Sequence, residues 1–405
     1  MSNHSPAKSS KPLRVAIIST PWIKVPPEGY GGIEAVVDGL VKGLVANGVE
    51  VEMFGVAQRS LRGVKVHSLY QNEQYKHIYR PLFESVTIPL AHLDYALQLI
   101  IEDGGFDVIH DHNGQIGPAF YKWATQVKGV PPVVHTLHGP QFSPTNHDEE
   151  GWASNRPMWR QIGSPKRSFL VGISNSMVSN VPQEIKASIL PTVYNAVDVS
   201  DFPFVEKKKN YFLTLGRFTS SKGQHIAAKY ASKYRLRLRM AGSVVDISSP
   251  AKLIMELANP MSKYRKDPDF RYYSDKVFPY TATNPFITFL GNVAGERKMK
   301  LLSEAKALLF PIQWEEPFGM VVIEALACGT PVVAMNRGAV PEIIDHGVNG
   351  FIADTEAEFA RYMKRVGEID PRACRESVEA KFSVDTMAKA YILRYEEAIA
   401  RSKNG

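Results

Sequence analysis

The chain of 405 residues is too long for one ordinary hydrophobic core and is expected to form two domains. Its 44% hydrophobic and 22% charged content is that of a soluble globular protein, and no apolar run reaches the roughly 20 residues that cross a bilayer. The net charge of +7 sits wholly in the second half: residues 1–200 carry 17 Lys+Arg and 17 Asp+Glu, leaving 31 and 24 of the totals of 48 and 41 beyond them, a balance that suits a diphosphate or an anionic membrane, whereas the lack of interleaved basic and aromatic residues argues against nucleic acid.

In chain order, residues 1–12 are polar, carry Lys8 and Lys11, lack an apolar signal core and read as a disordered tail. Residues 13–19 form a β-rich apolar run, 33–46 have helical spacing and 49–54 return to a strand. A helix at 90–102 and strands at 107–110, 132–136 and 169–173 complete a first unit over 13–200. Asn195-Ala196-Val197-Asp198 and Lys207-Lys208-Lys209-Asn210 mark the crossing to a second unit over 201–385. There the alternation restarts, with strands at 211–215, 236–241, 287–290, 307–310 and 332–334. The pattern predicts an α/β protein of two Rossmann-like, doubly wound parallel sheets facing a cleft that holds a shared ligand. Residues 248–285, rich in Lys, Tyr, Pro and Asp, are longer than the usual connection and contain a helix at 251–257. They read either as surface decoration or as an acceptor or oligomer contact. An amphipathic helix at about 384–400 lies near the end of the chain, and residues 386–405 are set apart as a C-terminal element.

The densest chemistry lies between Glu315 and Ala334. Glu316 and Glu324 are separated by seven residues, and Pro317-Phe318-Gly319 is a turn run that should open a helix. Glu324 is then expected about two turns in, and Cys328-Gly329-Thr330-Pro331 ends the helix. The first N–H groups of a helix form an anion site, so carboxylates before and within it are suited to sugar and ribose hydroxyls beside a bound phosphate. Arg217 and Lys222 lie five residues apart on the loop Leu215-Gly216-Arg217-Phe218-Thr219-Ser220-Ser221-Lys222-Gly223, after a strand and before a helix. A planar five-donor fork and a mobile ammonium there can reach one diphosphate. Gly29-Tyr30-Gly31-Gly32-Ile33-Glu34 lies at the first strand-to-helix junction, where glycine lets backbone amides approach a ligand. Two strand ends, His110-Asp111-His112-Asn113 and His135-Thr136-Leu137-His138-Gly139, carry histidines toward the cleft; His110 and His135 alternate with the others and are expected to face the core or the next strand.

These motifs, with Gly338-Ala339-Val340-Pro341-Glu342-Ile343-Ile344 and Gly347-Val348-Asn349-Gly350-Phe351, closely resemble those of the retaining glycosyltransferases with two Rossmann-like domains, the GT-B fold, and within them glycosyltransferase family 4. The resemblance spans roughly residues 13–395. It implies transfer of a hexose-type sugar from a nucleotide-diphosphate sugar to an acceptor hydroxyl with retained configuration. By that resemblance, Glu324 holds the ribose, while Glu316 and the Phe318 and Gly319 amides hold sugar hydroxyls. Arg217, Lys222 and the helix start at Gly319, Met320 and Val321 stabilise the leaving diphosphate. Gly31 and Gly32 approach the donor from the opposite domain, His138 holds the terminal sugar hydroxyl, His112 and Asn113 line the acceptor side, and Asn292 and Val293 lie at the nucleobase. It also implies that the final helix packs back on the first domain and that the acceptor hydroxyl attacks from the leaving-group side.

No cofactor or metal is called for, since Arg, Lys and the helix dipole can neutralise the phosphates, and the histidines lack a zinc pattern. Two cysteines, Cys328 and Cys374, give no disulfide framework, and a cytoplasmic protein is expected. The run 70–83, aromatic and basic, is a candidate for peripheral membrane contact as against an ordinary exposed loop. A sugar-nucleotide epimerase on the same fold and a non-catalytic nucleotide-sugar binding protein are the alternative readings. Nucleobase, sugar, acceptor and oligomeric state leave no trace in the sequence.

Overall fold

The computed structural model describes residues 11–403 apart from 30, 57–60, 62, 79–80, 140–141 and 143–155. Residues 1–10 of the expected tail, Tyr30 of the glycine turn and residues 79–80 of the 70–83 run lie outside the described residues, as do the side chains at 82 and 83.

Among the described residues the strands form two sheets. The first contains β1 (Arg14–Ile18), β2 (Glu50–Phe54), β3 (Lys65–His67), β4 (Val108–Asp111), β5 (Val133–Leu137), β6 (Ser168–Gly172) and β7 (Ile189–Leu190), in the order β3-β2-β1-β4-β5-β6-β7. The second contains β8 (Phe212–Leu215), β9 (Leu238–Ala241), β10 (Ile287–Gly291), β11 (Ala307–Phe310), β12 (Val332–Met335) and β13 (Gly350–Ala353), in the order β10-β9-β8-β11-β12-β13. All of these neighbours pair in parallel. Parallel strands covered on both faces read as continuous apolar runs: Val15, Ala16, Ile17 and Ile18 are each 0% exposed. β3, β7 and β13 are additional to the expected strands, and all three lie at sheet edges.

Both sheets reverse their order at the same place, between β1 and β4 in the first and between β8 and β11 in the second. Such switch points open a crevice at the carboxyl ends of the strands. Among the helices, α1 (Gly32–Ala46) follows β1, α2 (Pro250–Ala258) lies in the β9–β10 connection and α3 (Gly295–Glu304) precedes β11. α4 (Met320–Ala327) follows β11, and α5 (Val384–Lys403) is the last element.

α5 packs on the first sheet. Met387, Ala388, Tyr391, Tyr395 and Ala398 share a buried cluster with Val36, Val37, Leu40 and Leu44 of α1. The close crossing depends on glycine: a Cβ on Gly43 would meet Val384 O at 2.5 Å and Ala388 Cβ at 2.8 Å. The two chain crossings between units run side by side, Val197 N donating to Phe382 O at 3.0 Å. Residues 248–285 fold as α2, a 3-10 turn at Lys263–Lys266 and the helical stretch from Pro268 to Thr283.

Candidate active site

The loops after β8 and β11 meet at the second switch point. Thr219 caps a 3-10 turn at Ser220–Lys222 by accepting from Lys222 N, and Gly223 turns the chain at φ +65° into the helix Gln224–Lys233. A Cβ on Gly223 would lie 2.0 Å from Pro311 O, so only glycine lets this loop rest against the end of β11. Across that contact Lys222 Nζ donates to Glu316 Oε2 at 2.6 Å, and Trp314 Nε1 donates to the same oxygen at 2.9 Å. Glu316 is buried, and its Oε1 has no partner among the described residues. The Lys222 ammonium also lies 5.4 Å from the Trp314 ring centroid and 5.7 Å from that of Phe310.

α4 opens at Met320, three residues later than a helix running directly from Pro317, because Gly319 turns the chain at φ +93° as its N-cap. Glu324 is therefore the fifth helical residue, little more than one turn in rather than two. Its Oε1 accepts from Lys298 Nζ of α3 at 2.7 Å. Each carboxylate of the seven-residue spacing thus carries a lysine. Phe318 is buried, and Met320 packs against the cores of both units, at the floor between them.

Arg217 is exposed, and its side chain meets no partner among the described residues, although its charge is felt by Asp269. The structure therefore brings Lys222, but not Arg217, to Glu316. Asn292 and Val293 follow β10 and precede α3. The Asn292 N–H is donated to Ser248 O at 2.8 Å, and the residue is exposed.

On the first sheet, Gly31 ends the β1–α1 loop; its Cβ would meet Pro27 Cβ at 2.6 Å. Thr20 Oγ1 donates to Glu34 Oε1 at 2.5 Å and ties that loop to α1, beginning at Gly32. Burial raises the Glu34 carboxyl above its ordinary range. Beyond β4 and β5, His112 Nδ1 and His138 Nε2 share a hydrogen bond of 2.9 Å. Asn113 is turned inward, its Nδ2 donating to Asp111 Oδ1 at 2.8 Å and Ser19 O at 3.2 Å.

His110 and His135 are both buried, as expected, His135 bonding Asp111 Oδ2 and Ser168 Oγ and His110 reaching Thr136 of the next strand. Their alternation with the other histidines needs correction, since His110 lies on the same face as His112, the ring centroids 4.2 Å apart. Residues i and i+2 of a strand share a face. His110 Nδ1 bonds Tyr395 Oη at 2.7 Å and its Nε2 bonds Thr136 Oγ1 at 2.7 Å; Thr136 Oγ1 also bonds Tyr391 Oη at 2.6 Å. Two tyrosines of α5 thus support the strand ends that bear His112 and His138.

The two units also meet through Glu342. Its carboxylate accepts from Asn175 N at 2.8 Å, Ser176 N at 2.7 Å and Tyr194 Oη at 3.0 Å. Burial and this neighbouring charge push the Tyr194 hydroxyl up to about 12.

The loops gathered at the two switch points are those that carry the resemblance, and comparison with known proteins agrees. The family described as Glycosyltransferase Family 4 matches residues 30–201, and that described as Glycosyl transferases group 1 matches residues 199–380. The chain belongs to the family 4 type of GT-B glycosyltransferases. The transferase is 27% identical over 402 residues to a D-inositol 3-phosphate glycosyltransferase of Nocardioides sp., covering 88% of this chain and 82% of that protein. Its fold matches sucrose-phosphate synthase from Thermosynechococcus elongatus with a TM-score of 0.71 at 20% identity, over 96% of this chain and 99% of that one. It also matches Anabaena HepE in complex with UDP-glucose, with a TM-score of 0.63 at 17% identity, over 95% and 100% of the two chains.

Reading the sequence missed Trp314, Lys298 and the two tyrosines as parts of this site, and gave Glu342 only within a motif, with no role of its own. Trp314 was within reach, since it stands two residues from Glu316 in a non-helical segment. Lys298 and the tyrosines meet their partners only through the fold.

The histidines are expected to make the fold of the transferase acid-sensitive. Burial holds His92, His110 and His112 below the usual histidine value of 6.5, and lowers His138 to about 4. Above pH 6.5 folded and unfolded states are both neutral at these rings. Below it the unfolded chain binds more protons, so stability falls as the pH drops, by at most about 1.4 kcal/mol per pH unit for each such histidine. Glu34, Asp201 and Asp269, whose carboxyls burial raises, act in the opposite sense, their contributions being lost as pH rises through their folded values. The four histidines outnumber them, so urea unfolding is expected to show stability declining between pH 6.5 and 5. A flat profile there would show that these rings are not held neutral.

Proposed function

We propose that the transferase moves a hexose-type sugar from a nucleotide-diphosphate sugar to an acceptor hydroxyl with retention of configuration. The observation that carries this reading is the Lys222–Glu316 pair at 2.6 Å, flanked by the start of α4. A phosphate-binding ammonium and a hydroxyl-binding carboxylate touching one another mark the point where diphosphate and sugar join. The two charges neutralise each other. Donor binding shifts Lys222 toward the diphosphate and frees Glu316 for sugar hydroxyls.

Glu324, steadied by Lys298, takes the ribose, with Asn292 and Val293 beside the base. Arg217, Lys222 and the N–H groups at Gly319, Met320 and Val321 stabilise the charge that develops on the leaving diphosphate. Gly31 and Gly32 close on the donor from the other domain. His138, kept neutral by burial, accepts or donates a hydrogen bond at the sugar, and His112 fixes its ring. His112 and Asn113 border the acceptor side. No carboxylate is assigned as a nucleophile; the acceptor hydroxyl enters on the leaving-group side and a phosphate oxygen takes its proton. The diphosphate charge is balanced by the protein's own cations, so no metal or cofactor is assigned.

The test is proton NMR of a panel of α-linked sugar nucleotides incubated with the transferase and cell extract as acceptor source. The expected result is an α-linked product, and, without acceptor, only slow release of free sugar. A β-linked product would overturn retention, and rapid appearance of an isomerised sugar nucleotide would put an epimerase in its place.

A further inference from the structure

We infer that α2 and the turn after it form a docking surface for an anionic lipid bilayer. The inference rests on the exposure and charge of this segment and does not depend on the assignment of donor residues.

The stripe on α2 faces the wrong way for a core helix. Ala251, Ile254, Met255 and Ala258 recur at i, i+3, i+4 and i+7, the spacing of one helix face. That face is exposed, with Ile254 at 62% and Met255 at 65%, while the helix buries only Leu253. Met261, three residues past the helix, is 88% exposed. The turn that carries it is built firmly: Met261 N donates to Asn259 Oδ1 at 2.9 Å, Arg265 Nε donates to Asn259 O at 3.2 Å and Ser262 Oγ donates to Glu256 Oε2 at 2.6 Å. The three large apolar side chains are thus held out by a defined scaffold.

Charge selects the occupant. Residues 250–266 carry Lys252, Lys263, Arg265 and Lys266 against the single carboxylate of Glu256, a net +3, and all four cations are exposed; the exposed Asp246, beside Tyr264, offsets part of this charge. Glu256 is bonded to Ser262, and Asp267 turns its carboxylate into the cap of the next helix. Exposed apolar side chains in a segment rich in exposed cations match the headgroup and upper acyl region of an anionic membrane. A second copy placed by two-fold symmetry would set the same +3 against itself, which argues against self-association through this face. The surface is rooted at the cleft, since Ser248 O, just before α2, accepts from Asn292 N beside β10. Docking would therefore hold the loop after β10 near the bilayer.

The test is vesicle flotation with the full chain, on phosphatidylcholine alone and on phosphatidylcholine mixed with phosphatidylglycerol. Binding is expected only to the mixed vesicles, weakening as salt rises. The triple variant Ile254→Glu, Met255→Glu, Met261→Glu should reduce the bound fraction about tenfold or more, with circular dichroism and nucleotide affinity unchanged. Lys252→Glu with Lys266→Glu should do the same while leaving the apolar stripe intact. Failure of the wild type to float with the mixed vesicles, or equal flotation of the triple variant, would overturn the inference. So would sedimentation equilibrium showing a wild-type dimer that the triple variant dissociates, which would assign the face to a second copy.

Discussion

Glu316→Gln and His138→Ala are expected to lower kcat by on the order of 10²-fold or more, the scale of losing one group that stabilises charge in a transition state. Both side chains are assigned to the sugar, where interactions realised fully only in the transition state act on kcat rather than on binding. Free nucleoside diphosphate should bind these variants almost as it binds the wild type. Lys222→Ala should behave differently, losing roughly 1.5–3 kcal/mol of diphosphate affinity as a charge-assisted contact disappears. Glu324→Gln should also weaken the free nucleotide, since it removes the assigned ribose partner. The Lys222–Glu316 pair adds a distinguishing effect. Glu316→Gln releases Lys222 from its partner at 2.6 Å, so diphosphate binding in that variant should hold or tighten. Calorimetry with nucleoside diphosphate, together with steady-state kinetics, separates these outcomes. Loss of nucleotide affinity in Glu316→Gln but not in Glu324→Gln would reverse the two roles. Near-wild-type transfer in Glu316→Gln, His138→Ala and Glu324→Gln would remove the cleft as the catalytic centre.

Gly338→Ala should damage both stability and the site. Gly338 stands at φ +58°, and a Cβ there would lie 2.3 Å from both Glu316 N and Glu316 O. Those are backbone atoms, which cannot rotate away. The same loop contact is bonded from both sides, Gly338 N donating to Glu315 Oε2 at 2.7 Å and Ala339 N donating to Glu316 O at 2.9 Å. The added methyl must push the Glu316 segment away, at a cost of about 3 kcal/mol in stability and with a large loss of activity. Gly347→Ala is the control. Gly347 has φ +81° but nothing within 4 Å of a built Cβ, so only the left-handed backbone penalty of about 1–2 kcal/mol should appear, with little effect on kcat per folded molecule. Equal stability and activity in the two variants would show that the 338–316 contact does not shape the site.

The alternation of strands and helices, the glycines at loop corners and the seven-residue spacing of Glu316 and Glu324 were legible in the sequence because each is local. A strand buried on both faces must be apolar, a helix must repeat near 3.6 residues, and a chain that turns against a neighbouring backbone must use glycine. The start of α4 shows the limit of that reading even at short range: Gly319 was visible as a turn residue, but whether the helix began before or after it depended on the conformation the loop adopted against β11. Only the tertiary structure decided which charges meet. Lys222 reaches Glu316 across 94 residues of sequence, Lys298 reaches Glu324 across 26, and Tyr395 reaches His110 across 285. These pairs exist because both sheets reverse their order at one strand boundary and because α5 returns to the first sheet. The stripe on α2 divides in the same way: its helical period was present in the sequence, but which face turns to water is fixed by packing against the rest of the domain, and periodicity carries no sign for inside or outside.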